Sequence, residues 1–150
     1  MLINKGVIDG FVGLLKSPHV ELIEQVIWGL GNLAGDGPRI RNLVINAGAV
    51  GPIADYCDQA PAGSSFVRNA SWTLSNICRG RPAPDFTLIS RAISSLAKVL
   101  LENDSEEIIS DVCWAISYIS DGGQEHIPSL LETNVLPRLV QLLEHRDMAI

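Results

Sequence analysis

Three tryptophans recur in matching surroundings: Trp28 in EQVIWGLGNLAGD, Trp72 in VRNASWTLSNICRG and Trp114 in SDVCWAISYISDG, separated by 44 and 42 residues. A period of roughly 40–47 residues belongs to helical solenoids, whose units each leave an apolar face that only a neighbour can cover. The match extends upstream of the indoles. GVIDGFVGLLKSPHVELIEQVIW, from Gly6, aligns without gaps to AISSLAKVLLENDSEEIISDVCW, from Ala92. The middle copy, GAVGPIADYCDQAPAGSSFVRNASW, follows after two extra residues between Pro61 and Ser65, and a fourth copy opens at Asn134 and runs to Ile150. The units fall at about 1–37, 38–81, 82–123 and a partial 124–150.

Each unit reads as a short helix, a middle helix and a longer third helix, in the middle copy about 40–46, 50–58 and 65–79. Gly48 suits the first turn, where a positive φ costs glycine little. Ser17-Pro18 and the Asn-Asp-Ser run at 103–105 supply breaks and N-cap chemistry before the third helices. GDGP at 35–38 and RGRPAPD from Arg79 end two of those helices, and no alternation of period two is long enough for a strand. The last unit stops before its third helix, the first lacks a short helix before Gly6, and neither end has a polar cap, as expected of a fragment or truncated relative of a longer solenoid.

The third helices carry the chemistry. Residues four apart differ by about 40° around a helix. Trp28 therefore shares a face with Asn32, Trp72 with Asn76, and Trp114 with Tyr118, and the residues three earlier, Gln25, Asn69 and Asp111, join it. Acids follow one turn on, at Asp36 and Asp121. Val26, Leu30 and Leu33 offer a separate packing face, which frees the indoles from the core. A carboxamide both donates and accepts, so Asn can hold a peptide backbone without reading its sequence. Indole walls accept the methylene stems of Lys or Arg with a cation–π attraction of about 0.5–2 kcal/mol, and carboxylates at the slot ends take the charge. The expected ligand is an extended Lys/Arg-rich segment.

Composition agrees and excludes other classes. The chain is 47% apolar and 19% charged, enough to build a core, and its net charge of −6 repels nucleic acid and anionic lipid while favouring a cationic partner. Cys57, Cys78 and Cys113 lack metal-ligand spacing and read as reduced thiols in apolar stretches of an intracellular protein. His19, His126 and His145 also lack ligand spacing and read as loop or helix-end residues, so neither a metal nor another cofactor is expected. Asp111 and Asp121 are ten residues apart and form a solvated rim rather than an acid/base pair, and Arg79-Gly80-Arg81 is too short a basic spot for nucleic acid. The reading is of a binding protein, not an enzyme. The apolar run from Leu22 to Ala34 is broken by Glu24, Gln25 and Asn32, and the first six residues lack a signal-peptide pattern.

WGLGNLAGD, NASWTLSNICRG and DVCWAISYISDG resemble the third, fourth and fifth armadillo repeats of importin α, the adaptor for nuclear localisation signals, and the likeness runs through nearly all 150 residues. The repeated W-x-x-x-N is much narrower than a general armadillo pattern. The resemblance implies an all-α, right-handed superhelical solenoid of about three armadillo repeats plus a truncated fourth, working in cytoplasm and nucleus. It further implies that Trp28, Asn32, Trp72 and Asn76 form lysine slots and backbone clamps, that Asp36 meets the most strongly selected lysine, and that Asn69 joins the clamp. Asp111 and Trp114 would line the outgoing end, where Tyr118 replaces the clamp asparagine. Importin β is the family's further partner, but the basic segment that binds it is absent here. Two other readings remain: a general armadillo scaffold of the β-catenin kind, which would carry Lys and Arg along the groove, and an inactive truncation product.

Overall fold

The computed structural model describes residues 5–144, which form nine α-helices and no strand. They are α1 (Lys5–Leu14), α2 (Val20–Gly35), α3 (Pro38–Asn46), α4 (Val50–Gln59), α5 (Ser65–Cys78), α6 (Phe86–Glu102), α7 (Glu106–Ser120), α8 (His126–Glu132) and α9 (Leu136–Leu142). The start of the chain, His145 and the end of the fourth copy lie outside the described residues.

Helices α2, α5 and α7 pack side by side in one layer, and α4 and α6 pair behind them. The core runs through the whole stack: Ile27, Leu30, Ile53, Leu74, Ile93, Leu96 and Leu100 are all essentially sealed from solvent. The polar ties between units also follow the period. Tyr56 donates to the Leu15 carbonyl at 2.8 Å, Thr73 to that of Ile27 at 3.0 Å, and Lys98 to that of Asp58 at 2.9 Å. Each such bond contributes about 1 kcal/mol net. Their recurrence makes neighbouring units one cooperative body.

Element ends follow local chemistry, with two departures from the sequence reading. Gly48 sits at φ 83° between α3 and α4, and Asn134 takes φ 60° between α8 and α9. In the third unit the short and middle helices are instead one 17-residue helix, α6. Ile93, not Ser94, is buried as Ile8 is, so the gapless alignment slips by one residue here. Arg91 then stands where Gly48 stands; it stays helical and pairs with Asp55 and Asp58 at 2.7 Å each. A residue unfavourable at positive φ replaces the turn glycine, and the helix runs on.

The second departure concerns caps. Ser64 caps α5 through Val67 N–H at 3.3 Å, and Asp85 caps α6 through Thr87 N–H at 2.9 Å. His19 and Ser105 occupy the N-cap positions of α2 and α7 but make no side-chain cap. Ser17 accepts instead from His19 N–H at 3.1 Å, and Asn103 faces backward, donating to Val99 O and accepting from Gly63 N–H at 2.7 Å. The breaks are where the sequence puts them; the capping bonds are not. His126 starts α8, a helix end as the sequence suggests, and is buried there with its ring 5.2 Å from that of Phe86.

Candidate functional site

The three tryptophan helices are the three that pack in the front layer, so their polar faces adjoin. Trp28 on α2 is 50% exposed and Trp114 on α7 is 56% exposed, while Trp72 on α5 is half-buried. The difference has a local cause. Gly31, four residues after Ile27 on α2, has no side chain, and a Cβ there would lie 2.5 Å from the Trp72 ring and 2.5 Å from Thr73 Oγ1. Trp72 leans into that notch. The matching position on α5 is Ser75, and the next indole, Trp114, stands out from the wall and stacks on Tyr118 with ring centres 6.0 Å apart.

The two W-x-x-x-N asparagines also differ. Asn32 is exposed and donates to the Trp28 carbonyl of its own helix at 3.2 Å. Asn76 is only 9% exposed and donates to the Gly31 carbonyl across the α5–α2 seam, also at 3.2 Å. Each amide has spent one N–H and keeps a second N–H and its oxygen. Asn69 is engaged too, donating to Glu24 Oε1 at 2.8 Å.

Asn32, Asp36, Trp72 and Asn76 line one open pocket of about 360 Å3, together with Gly31, Gly35 and Arg79. Asp36 follows α2 directly and is exposed there. Tyr118 and Asp121 line a neighbouring pocket of about 490 Å3 that shares Arg79. Trp28, Asn69, Asp111 and Trp114 line neither pocket. Asp111 is half-buried, and loss of solvent, with the like charge of Glu107 added, pushes its carboxyl up to about 6. Asp121 is already taken: Arg81 donates to its Oδ2 from Nη2 at 2.5 Å and from Nε at 3.1 Å.

Sequence reasoning thus passed over Gly31, and it set aside Arg79 and Arg81 as a short basic spot although both line the pockets. Gly31 had a visible signal, a small residue three positions after each tryptophan: Gly31, Ser75 and Ser117. The arginines had only their proximity in the chain, and their placement depends on Arg41. That side chain is fully buried with no carboxylate partner among the described residues, and it donates to the carbonyls of Arg79 at 2.6 Å and Pro82 at 2.7 Å. Burial lowers its pKa, and it fixes the loop from which Arg79 and Arg81 project. Cys57 and Cys78 are free and buried, and burial raises them to about 11 and about 12, which leaves them inert as nucleophiles. Among the described residues no cluster of His, Cys, Asp and Glu is arranged to hold a metal ion, and no helix is long and apolar enough to cross a membrane.

A stack of period-42 to period-44 helical units with indoles and amides along one layer defines a class of protein, the armadillo-repeat solenoid. The Armadillo/beta-catenin-like repeat family matches residues 1–35. A designed armadillo repeat protein superposes with a TM-score of 0.85 at 30% identity, covering 96% of this chain and 60% of the other. A second, solved in complex with peptide (KR)4, gives a TM-score of 0.82 at 30% identity over 96% of this chain and 59% of its own. Within that class the chain is similar to importin α subunits. It is 42% identical over 150 residues to importin subunit alpha-1b of Oryza sativa subsp. japonica, and 44% identical over 147 residues to importin subunit alpha-2 of Arabidopsis thaliana. Those matches take in 100% and 98% of this chain, which spans 28% and 27% of the relatives' own lengths.

Proposed function

We propose that this chain binds extended Lys/Arg-rich peptides of the nuclear localisation signal type along the face shared by α2, α5 and α7. The observation that carries the reading is the pocket in which an indole, two carboxamides and an unpaired carboxylate meet: Trp72, Asn32, Asn76 and Asp36. A lysine stem laid against the Trp72 ring brings its ammonium group toward Asp36, while the remaining N–H and oxygen of Asn32 serve the peptide backbone. Trp28, Trp114 and Asp111 extend the face on either side, with Asn69 bracing it through Glu24. The net charge of −6 draws such a ligand in. The (KR)4 peptide bound by the designed neighbour belongs to the same ligand class.

On this reading the chain is a non-enzymatic adaptor segment divided at about 37, 81 and 123, acting in cytoplasm and nucleus, with importin β a partner of the longer family members. Arg79 and Arg81 favour a second reading, a general scaffold for acidic segments, because they put cations where that class needs them. A titration of a labelled Lys-Lys-x-Lys peptide separates the two. Micromolar or tighter binding that weakens with salt and is nearly abolished by Asp36→Lys supports the first; equal binding of an acidic control peptide overturns it.

A further inference from the structure

Beside the lysine pocket lies a second, more cationic concavity, formed by Arg79, Gly80, Arg81, Pro82 and Ala83 on one wall and Tyr118, Asp121 and Gly122 on the other. The sequence makes Asp121 an acid waiting for a ligand cation. In the structure Arg81 holds it from two nitrogens, so its charge is satisfied within the protein. That leaves Arg79. Its side chain is exposed and has no hydrogen bond or ion pair among the described residues; only its backbone is used, the N–H donating to the Asn76 carbonyl and the carbonyl accepting from Arg41. Tyr118, half-buried on the facing wall, has a hydroxyl that is likewise free to donate. Two guanidinium groups against one carboxylate give this hollow a net positive charge on a protein whose net charge is −6.

We infer that this hollow is an oxyanion subsite: it takes a carboxylate or phosphorylated side chain carried by the same peptide whose basic residues occupy the neighbouring pocket. The inference rests on the proposed function above and deepens it. Arg79 lines both pockets, so the two subsites adjoin and the acidic group must lie close to the basic stretch in the peptide. Its guanidinium offers paired N–H donors, a fork that fits carboxylate and phosphate alike. Arg41 stiffens the loop through bonds to Arg79 and Pro82, so the donors are held before the ligand arrives. A lysine aimed at Asp121 instead would have to displace Arg81 and approach Arg79.

The test uses the whole chain and a Lys-Lys-x-Lys peptide in which serine, phosphoserine or glutamate is stepped one position at a time along each flank. Fluorescence anisotropy reads Kd. At one flanking position phosphoserine tightens binding about fivefold over serine, with glutamate giving a smaller gain, as expected for an exposed charge pair. Arg79→Gln removes that gain and tightens the serine peptide, because it takes a repelling cation away from the basic residues. Equal Kd for serine and phosphoserine at every position, or a gain that survives Arg79→Gln, overturns the subsite alone. A parent peptide that fails to bind at all overturns the subsite and the proposed function together.

Discussion

Asn76 donates to the Gly31 carbonyl at 3.2 Å across the seam between α5 and α2. The bond ties a residue of the proposed peptide clamp to the packing of two units. Asn32 holds the same motif position but bonds to its own helix, at the Trp28 carbonyl, and ties no seam.

The two asparagines should therefore respond differently to removal. Asn76→Ala removes the bond across the seam and the packing of a side chain only 9% exposed, and should cost about 1–3 kcal/mol of stability along with affinity. Asn32→Ala should leave stability within about 0.5 kcal/mol, because Ala favours helix and no buried group is stranded, yet weaken peptide binding. Urea unfolding beside anisotropy titration tests the pair; equal stability losses would contradict the asymmetry.

Gly31→Ala sets two effects against each other. Alanine gains about 1 kcal/mol of helix propensity, but its methyl group would lie 2.5 Å from both the Trp72 ring and Thr73 Oγ1. Overpacking of that severity costs about 1–3 kcal/mol. The net should be a modest destabilisation with a rise in tryptophan solvent exposure, measurable by acrylamide quenching. An unchanged melting temperature and quenching constant would show that the notch yields freely.

Asp111 should make binding depend on pH. Its carboxyl is raised to about 6 by desolvation and by Glu107, so it is mostly protonated at pH 5 and mostly ionised above pH 7. A cationic ligand prefers the ionised form. Affinity should therefore fall as pH drops through 6, by at most about tenfold per pH unit, and proton release on binding should appear in calorimetry in buffers of different ionisation enthalpy. The sign for folding is opposite. A raised carboxyl destabilises the fold as pH rises through the span from the unfolded value to 6, so Asp111→Asn should stabilise the protein at neutral pH and flatten the binding profile.

Gly48→Ala should destabilise the fold by about 1–2 kcal/mol, since φ 83° suits glycine and strains alanine. Guanidinium unfolding gives the number. A neutral result would mean that the α3–α4 turn can re-form with negative φ, as the continuous α6 already does at Arg91.

The sequence made the helices legible where their ends are written in glycine, proline and the tryptophan period. The middle copy's expected spans at 40–46, 50–58 and 65–79 compare with Pro38–Asn46, Val50–Gln59 and Ser65–Cys78. The fused α6 was harder to see. Aligning on the tryptophan forces register onto the third helix, and a one-residue slip in the preceding loop leaves no mark in a gapless match. The pocket's occupants split in the same way. Asn32, Asp36, Trp72 and Asn76 could be placed together because helical periodicity and stacking suffice to bring them near. The capture of Asp121 by Arg81 joins residues 40 apart through a loop whose path no periodicity describes.

That path is dictated from within. Arg41 is a guanidinium enclosed in the interior with backbone carbonyls and Asn42 as its hydrogen-bond acceptors. Redrawing the Arg79–Pro82 turn would leave this enclosed cation with Asn42 alone to accept from it, and losing the cation would set the turn adrift. One rim of the groove is thus anchored by a helix two elements earlier in the chain. Selection on ligand preference at that rim can exchange the side chains that project from it far more easily than it can move the backbone beneath them.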